Sequence, residues 1–349
     1  MIFAPFDLNC AVTYVMINLI LNMKALVLEN YGSPFILKEI DRPVPKDGEV
    51  LVQIKAASVN PLDTKIKTGN AGHAKTQLPA ILGIDMAGIV IEVGKNVTAF
   101  KAGDEVYGMT GGIAGVQGSL AEYAAVDADL LAIKPKNLSL GEAAAIPLGF
   151  ITAWEGLVDR ANIGAGKTVL IHGGSGGVGH LAVQIAVAKG AKVFTTDSPA
   201  KKELVEAFGA TSIDYTTQSV EDYVKTHTDD EGFDIVFDTV GGPTLDASFK
   251  AAKTYHGHVV SILGWGTHSI APLSFRGATY SGVFTLLPLI TGEHRAHHGE
   301  IMSEATAIIE AGKLKPIIDP TTYTFGNIED AYKAVEEGKT KGKVIVNVG

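Results

Sequence analysis

Three glycines at fixed spacing, Gly174, Gly176 and Gly179, follow an aliphatic run and precede a stretch rich in alanine and valine, and an acid, Asp197, stands 18 positions past the last of them. G-x-G-x-x-G spacing permits a tight turn, a close approach of backbone to a phosphate, and close packing of a helix on a strand. The sequence assigns these tasks in order: Gly174 makes the turn, Gly176 admits a pyrophosphate, and Gly179 lets the helix settle on the strand. Unpaired N–H groups and the positive end of the helix dipole would hold the anion. An acid about 20 residues further on is placed to receive an adenosine ribose. The chemistry this pattern points to is the binding of a dinucleotide.

The same letters permit a second chemistry. Gly173 to Gly177 also fits G-x-S-x-G, the strained elbow that presents a serine nucleophile, here Ser175, in an α/β-hydrolase. That reading needs an acid and then a histidine downstream. His258, His268 and His294 are available, no spacing selects one of them, and Gly179 and Asp197 would be left without a task.

The elements that must position the glycines are legible around them. Thr168 to Ile171 reads as a buried strand, His180 to Lys189 as a helix stopped by Gly190, and Ala191 to Thr196 as a second strand ending at Asp197. Further strands are expected at Ser212 to Asp214, Asp234 to Asp238, Val259 to Leu263 and Thr279 to Phe284. Six strands with crossover helices is the doubly wound number. Pro199 is placed to open a helix that Gly209 closes.

Upstream, short β runs alternate with Gly, Pro and Asp: Ala25 to Leu28, Phe35 to Glu39, Val50 to Ala56, Gly88 to Val93, Glu105 to Tyr107 and Leu120 to Ala125. Ser139-Leu-Gly-Glu142 is a capping-box signature for a helix that Pro147 interrupts, and Phe150 to Arg160 is helical again. Downstream, a helix is expected from Glu300 to Ala311, then strand and helix pieces at Pro316 to Ile318, Asn327 to Glu337 and Lys343 to Val348.

Composition limits the partners. The chain has 349 residues, 46% of them hydrophobic, and a formal net charge of −9, enough for two cores and unsuited to a phosphate backbone. No Lys/Arg run exceeds two, so nucleic acid is not an expected partner. One cysteine, Cys10, permits neither an internal disulfide nor a cysteine-rich zinc site and suits a reducing cytoplasm. Residues 1–22 lack the basic start of a signal peptide, and their apolar core, Ala11 to Leu21, is shorter than a membrane span. They read as an extension outside the fold, so no membrane partner is expected.

Several blocks in order, Ser58-Val-Asn60-Pro-Leu-Asp63-Thr-Lys65, Leu82-Gly-Ile-Asp85-Met-Ala-Gly88, Gly103-Asp104-Glu-Val-Tyr107-Gly and Gly118-Ser-Leu-Ala-Glu122-Tyr123, together with the glycine turn, resemble the zinc-free quinone oxidoreductase (zeta-crystallin-like) branch of the medium-chain dehydrogenase/reductase superfamily. The resemblance implies an α/β fold of two units. Residues 23–148 and 288–349 would form a GroES-like, β-rich catalytic domain, and 149–287 a Rossmann nucleotide-binding domain. Zinc-dependent members carry a cysteine where this chain has Ser58-Val59-Asn60 and Gly-His-Glu where it has Gly83-Ile84-Asp85, so no metal is expected there. His294, His297 and His298 read as solvated histidines of a polar loop.

The resemblance implies a reductase that passes hydride from NADPH, with NADH possible, to a quinone or an α,β-unsaturated carbonyl, whose conjugation delocalises the incoming charge. Lys65 and Asn60 would face the nicotinamide as hydrogen-bond donors, with Thr152, Leu263 and Gly264 around the ring. Gly177, Val178 and Gly179 would touch the pyrophosphate. Thr196, Asp197, Ser198 and Lys202 would surround the ribose, and Tyr215 the adenine. Asp63 and Asp85 are expected to brace loops, and His172 to be packed. A homodimer is expected by analogy. A nucleotide-binding protein without enzymatic activity, as among crystallins of this fold, has the same glycines and remains the alternative, separable by a hydride-transfer assay.

Overall fold

The structure, a computed structural model, describes residues 22–349. The expected extension, Asn22 apart, and Cys10 lie outside the described residues. Sixteen strands occur among the described residues: β1 (Asn22–Leu28), β2 (Ile36–Asp41), β3 (Glu49–Val59), β4 (Ala80–Ile81), β5 (Asp85–Val93), β6 (Glu105–Met109), β7 (Tyr123–Asp127), β8 (Leu131–Ile133), β9 (Thr168–His172), β10 (Lys192–Asp197), β11 (Thr211–Asp214), β12 (Ile235–Asp238), β13 (His258–Ser261), β14 (Thr279–Gly282), β15 (Tyr323–Thr324) and β16 (Val344–Asn347). They form three sheets.

The first large sheet runs β15-β16-β3-β5-β6-β8, with β7 also on β3. Its long strand β3 pairs antiparallel with β16 from the end of the chain, Val346 opposite Ala57. The C-terminal segment is thereby built into the N-terminal unit. β1, β2 and β4 make a small sheet at its side.

The second large sheet is parallel, in the order β11-β10-β9-β12-β13-β14. The chain winds outward twice from its middle, so the strand order reverses between β9 and β12, and a crevice opens beyond their carboxyl ends. Both strands are buried along almost their whole length, which is why they read as unbroken apolar runs rather than alternating ones. The helix Gly179–Ala188 is buried from Gly179 through Ala186, because it is packed by the sheet on one side and by the helix Pro147–Trp154 on the other.

Several details differ from the sequence reading. The glycine with positive φ in the turn is Gly173 (φ 75), not Gly174. Gly174 is required for another reason: a Cβ there would lie 2.1 Å from Thr195 Oγ1, and its own N–H donates to that oxygen. Pro147 does not interrupt a helix but opens one, the first ending at Ala144 and the next starting at Pro147. The expected strand Leu120 to Ala125 begins at Tyr123, because Gly118 to Leu120 fold back on the Ile81–Gly83 loop. The long C-terminal helix starts at Arg295, five residues early, so His297 and His298 lie on a helix rather than in a polar loop.

Packing against the parallel sheet leaves little tolerance. Phe237 of β12 is fully buried, and a Cβ on Gly156 would come within 2.4 Å of its ring, so the small residue at 156 exists to admit it. Replacing Phe237 by Ala removes the ring from a site where the backbone of 156 cannot follow. We expect Phe237→Ala to destabilise the protein by about 3–5 kcal/mol. Urea unfolding checks this, and a loss under about 1 kcal/mol would mean that the site collapses freely.

Candidate functional site

A cavity of about 340 Å³ lies between the two units at the crevice where the strand order reverses. Asn60, Pro61, Leu62, Lys65, His73 and Lys343 line it from the β-rich side. From the parallel-sheet side come Thr152, Gly176, Gly177, Val178, Leu263, Trp265, Phe284 and Thr285. Another cavity of about 420 Å³, bounded by Thr76–Ile81 and Gly112–Gln117, has no charged lining residue and does not adjoin the glycine turn.

Pro61–Lys67 is the helix that brings Lys65 to the cavity. Pro61 occupies its first turn and Asp63 reaches back to accept from the Asn60 N–H at 2.8 Å, which fixes the helix start. Asp63, Thr64 and Ile66 face inward, and Pro61 and Lys65, four apart, share the cavity face. The Lys65 ammonium makes no ion pair or hydrogen bond among the described residues. It is a free donor at the cavity edge.

Asn60 has a different role from the expected one. Its side-chain amide donates to Asp85 Oδ2 at 3.0 Å and to Asp63 Oδ2 at 3.1 Å, and its Oδ1 accepts from the Lys343 ammonium. With both amide hydrogens so held, Asn60 has none to offer a substrate. It is a structural member of a buried cluster. Asp85 is the centre of that cluster: it also accepts from Ser58 Oγ at 2.9 Å and from the Leu148 N–H at 2.8 Å, with Lys343 Nζ 3.8 Å away. Burial pushes the Asp85 carboxyl up and the Lys343 ammonium down, each opposed by the charge of the other. Burial also pushes Asp63 up to about 7, against the bonds from Asn60.

The expected pyrophosphate contacts fall on open backbone. Nothing lies within 4 Å of a Cβ placed on Gly177, and that on Gly176 would meet only the Gly173 carbonyl, at 3.1 Å. The N–H of Gly177 and that of Val178, before the helix Gly179–Ala188, are unpaired among the described residues. These groups fit a phosphate anion. Gly179 serves packing, since a Cβ there would lie 2.0 Å from the Gly173 carbonyl oxygen.

Asp197 is turned inward. Its Oδ1 accepts from the Ser175 N–H at 3.2 Å and from Ser175 Oγ at 2.5 Å, and its Oδ2 from Thr195 Oγ1 at 3.0 Å. The acid braces the glycine turn. Ser175 is bonded to this carboxylate and to no histidine, so the nucleophile elbow has no base and the hydrolase reading falls. His172 is buried, its Nδ1 bonded to Thr196 Oγ1, and burial lowers it to about 4. It is the packed histidine expected, and the same bond turns Thr196 away from the crevice. Ser198, Lys202 and Tyr215 lie beyond the carboxyl ends of β10 and β11, Tyr215 being 59% exposed. Gly264 lies under Tyr280, whose hydroxyl would be 2.4 Å from a Cβ there.

Sequence reasoning missed Lys343, Thr285, Trp265, Phe284 and His73. Lys343 immediately precedes β16, bridged to Ile318, and was read only as the start of a strand. The three aromatic rings form a rim across the cavity mouth, His73 lying 5.2 Å from Trp265 and 6.0 Å from Phe284 between centroids. The histidine stretch is corrected too: His298 is buried and bonded to Glu155, and His297 is bonded to Asp159 and Glu300. No group of three or more potential metal ligands occurs among the described residues.

A β-rich unit closed by the chain's own C-terminus, set against a doubly wound sheet with a cleft at its switch point, is the architecture of a two-domain nicotinamide-dependent dehydrogenase. Comparisons with known proteins agree. A family model described as alcohol dehydrogenase GroES-like domain matches residues 46–136, and one described as zinc-binding dehydrogenase matches 208–346. The chain is 39% identical to 2-methylene-furan-3-one reductase of Solanum lycopersicum and 37% to the chloroplastic NADPH-dependent alkenal/one oxidoreductase of Arabidopsis thaliana, in both cases over 93% of this chain and 79% of the relative. The crystal structure of an alcohol dehydrogenase superfamily protein from Novosphingobium aromaticivorans superposes with a TM-score of 0.91 at 54% identity, covering 94% of this chain and all of that one. The protein belongs to the medium-chain dehydrogenase/reductase superfamily.

The zinc that many members hold does not fit this donor set. Where ligands would stand are the amide Asn60 and the carboxylate Asp85, and the Lys343 ammonium already serves both as the positive partner. The cluster also has a pH signature. Asp63, near 3.8 unfolded and about 7 folded, contributes stability that is complete below about pH 4 and is lost as pH rises through about 7. We expect Asp63→Asn, which keeps an acceptor for Asn60, to lack that decline and to gain roughly 4 kcal/mol over wild type between pH 4 and 8. Urea unfolding at several pH values checks it; parallel pH curves for the two proteins would show that Asp63 is ionised throughout.

Proposed function

We propose that this protein is an NADPH-dependent reductase that delivers hydride to the carbon–carbon double bond of an α,β-unsaturated carbonyl, with quinones as its other substrates. The observation that carries this reading is the unpaired Lys65 ammonium on a cavity that has an aromatic rim, lies over the open glycine turn and offers no set of zinc ligands. The two reductase relatives act on conjugated carbonyl compounds by their names, which supports the same class.

The bound dinucleotide supplies the hydride; the chain's residues supply everything else. Residues 149–287 are the nucleotide unit, and 23–148 with 288–349 the catalytic unit. Gly177 and Val178 hold the pyrophosphate with backbone N–H groups beside the open Gly176, and Thr152, Leu263 and Gly264 border the ring. Trp265, Phe284 and His73 sandwich a flat conjugated substrate and keep water from the face being reduced. Lys65 donates to the carbonyl oxygen as negative charge develops there, and no metal is needed for that step.

Asp197 decides the cofactor by its absence from the ribose site. With its carboxylate bonded to Ser175 and Thr195, its charge is directed away from a 2′-phosphate, while Ser198 and the exposed Lys202 stand where one would lie, Lys202 weakly paired with Glu206 at 3.9 Å. This favours NADPH, with NADH accepted less well. The compartment we assign is the cytoplasm, since one cysteine suits reducing conditions and no helix among the described residues is long and apolar enough to cross a membrane. The assembly is a homodimer formed at the β14 edge of the parallel sheet, near the exposed Phe275 and Tyr280.

We expect the purified protein to oxidise NADPH with small enones, at a higher kcat/KM than with NADH, and Lys65→Ala to lower kcat by roughly ten- to a thousandfold. A panel of enones and quinones followed at the nicotinamide absorbance tests this. No turnover with any of them would leave the non-enzymatic nucleotide-binding alternative, and full turnover by the variant would make Lys65 a surface lysine. Sedimentation at micromolar concentration should give a dimer; a monomer would remove the β14 edge from the account.

A further inference from the structure

One wall of the cavity continues into the protein as a line of hydroxyl, carboxyl and imidazole groups within hydrogen-bonding distance of one another. Thr152 Oγ1 and Thr285 Oγ1, both lining the cavity, are 3.2 Å apart. Thr285 Oγ1 donates to Glu155 Oε2 at 3.2 Å, and the other oxygen, Oε1, lies 3.2 Å from His298 Nε2. Thr152 and Thr285 are 8% and 5% exposed and His298 1%, while the Glu155 side chain between them keeps 13% exposure. Glu155 opens a π-type turn, Glu155–Arg160, the kind of helix irregularity that recurs at functional sites. His298 Nδ1 is buried without a partner. Neighbouring charges are otherwise engaged: His297 with Asp159 and Glu300, Arg295 with Asp127.

A structural role explains one or two such bonds. It does not explain a partly exposed acid and a buried histidine in series behind two hydroxyls at a reaction cavity, where four titratable or exchangeable groups in contact make a path for a proton. Reduction of a conjugated double bond requires one. When hydride forms the new C–H bond at the β-carbon, the π pair moves to the α-carbon and carbonyl oxygen as an enolate, and a proton must then reach the α-carbon.

We propose that Thr152, Thr285, Glu155 and His298 form a proton relay that serves this second half of the reaction, an inference that rests on the reductase reading above. Thr152, whose hydroxyl in the resting state donates to the Leu148 carbonyl at 2.6 Å, turns it to the enolate carbon. The Glu155–His298 pair holds one proton at the start; as the new C–H bond forms, the Thr152 O–H bond breaks, Thr285 turns its proton to Thr152, and the pair's proton passes through Glu155 to Thr285, leaving Glu155 a carboxylate and His298 neutral. Between turnovers the partly exposed Glu155 takes up one proton from solvent and restores the pair, so one solvent proton is consumed per hydride and charge and atoms balance. Thr152 is the catalytic residue of the four, and the other three act through it.

Thr285→Val keeps the shape and removes the hydroxyl, while Thr285→Ser keeps the hydroxyl. With NADPH and an enone, Thr285→Val should lower kcat by roughly a hundredfold, at the low end of general-acid effects, with KM for both reactants unchanged and a larger solvent deuterium isotope effect. Thr285→Ser should recover most of the rate, and Glu155→Gln should reproduce the loss. Wild-type turnover in both Thr285→Val and Glu155→Gln overturns the relay while leaving the reductase intact. A solvent deuterium isotope effect in Thr285→Val equal to that of wild type overturns it likewise. Failure of the wild-type protein to oxidise NADPH removes the reductase reading and the relay with it.

Discussion

Everything at the cavity depends on the buried carboxylate of Asp85. It accepts from Ser58 on β3, from Asn60 at the head of the Lys65 helix, and from the Leu148 N–H on the helix that leads into the nucleotide unit, and it faces Lys343 from the last strand. Four segments far apart in sequence meet on one charge. A buried anion without its cation is worth several kcal/mol of instability, so the arrangement holds only if β16 closes the first sheet. The C-terminal segment is a functional part of the N-terminal unit for that reason, and the position of Lys65 follows from it.

A second acid does the corresponding work for the dinucleotide site. Asp197 ties Ser175 and Thr195 to the glycine turn, so the backbone N–H groups of Gly177 and Val178 are presented without rearrangement. Gly173 supplies the positive φ, and Gly174 and Gly179 let strand, turn and helix touch. Each glycine answers a distinct steric demand. The site therefore tolerates little change in its scaffold while leaving open the space in which a phosphate would lie.

Periodicity and glycine spacing made the six parallel strands, the turn and the helix after it legible, because local sequence controls them: β9 and β12 carry the apolar runs Val169–Ile171 and Ile235–Phe237, and Gly190 stops the helix. Boundaries moved where tertiary contacts decide them, as at Arg295, where a helix starts early because His298 is buried against Glu155 and Met302 beside Tyr107. The direction of side chains was not legible. Asp197 at a strand end and Asn60 at a helix start are in the right places by spacing, yet both face inward, since their partners Thr195, Ser175, Asp85 and Lys343 are chosen by the fold. Lys343 carried no local signal at all, being one lysine among several near the end of the chain.

The central claim is that a nicotinamide ring occupies the cavity between the units, beside Thr152 and Leu263 and under Lys65, with the Asn60–Asp85–Lys343 cluster where relatives place a metal. A crystal structure of the protein grown with NADP⁺ and zinc, with anomalous data collected at the zinc edge, tests both parts at once. The account predicts the pyrophosphate on Gly176–Val178, the ring in the cavity, and no anomalous peak within bonding distance of Asp85. A zinc peak bonded to Asp85, or a dinucleotide seated away from the glycine turn, would contradict it.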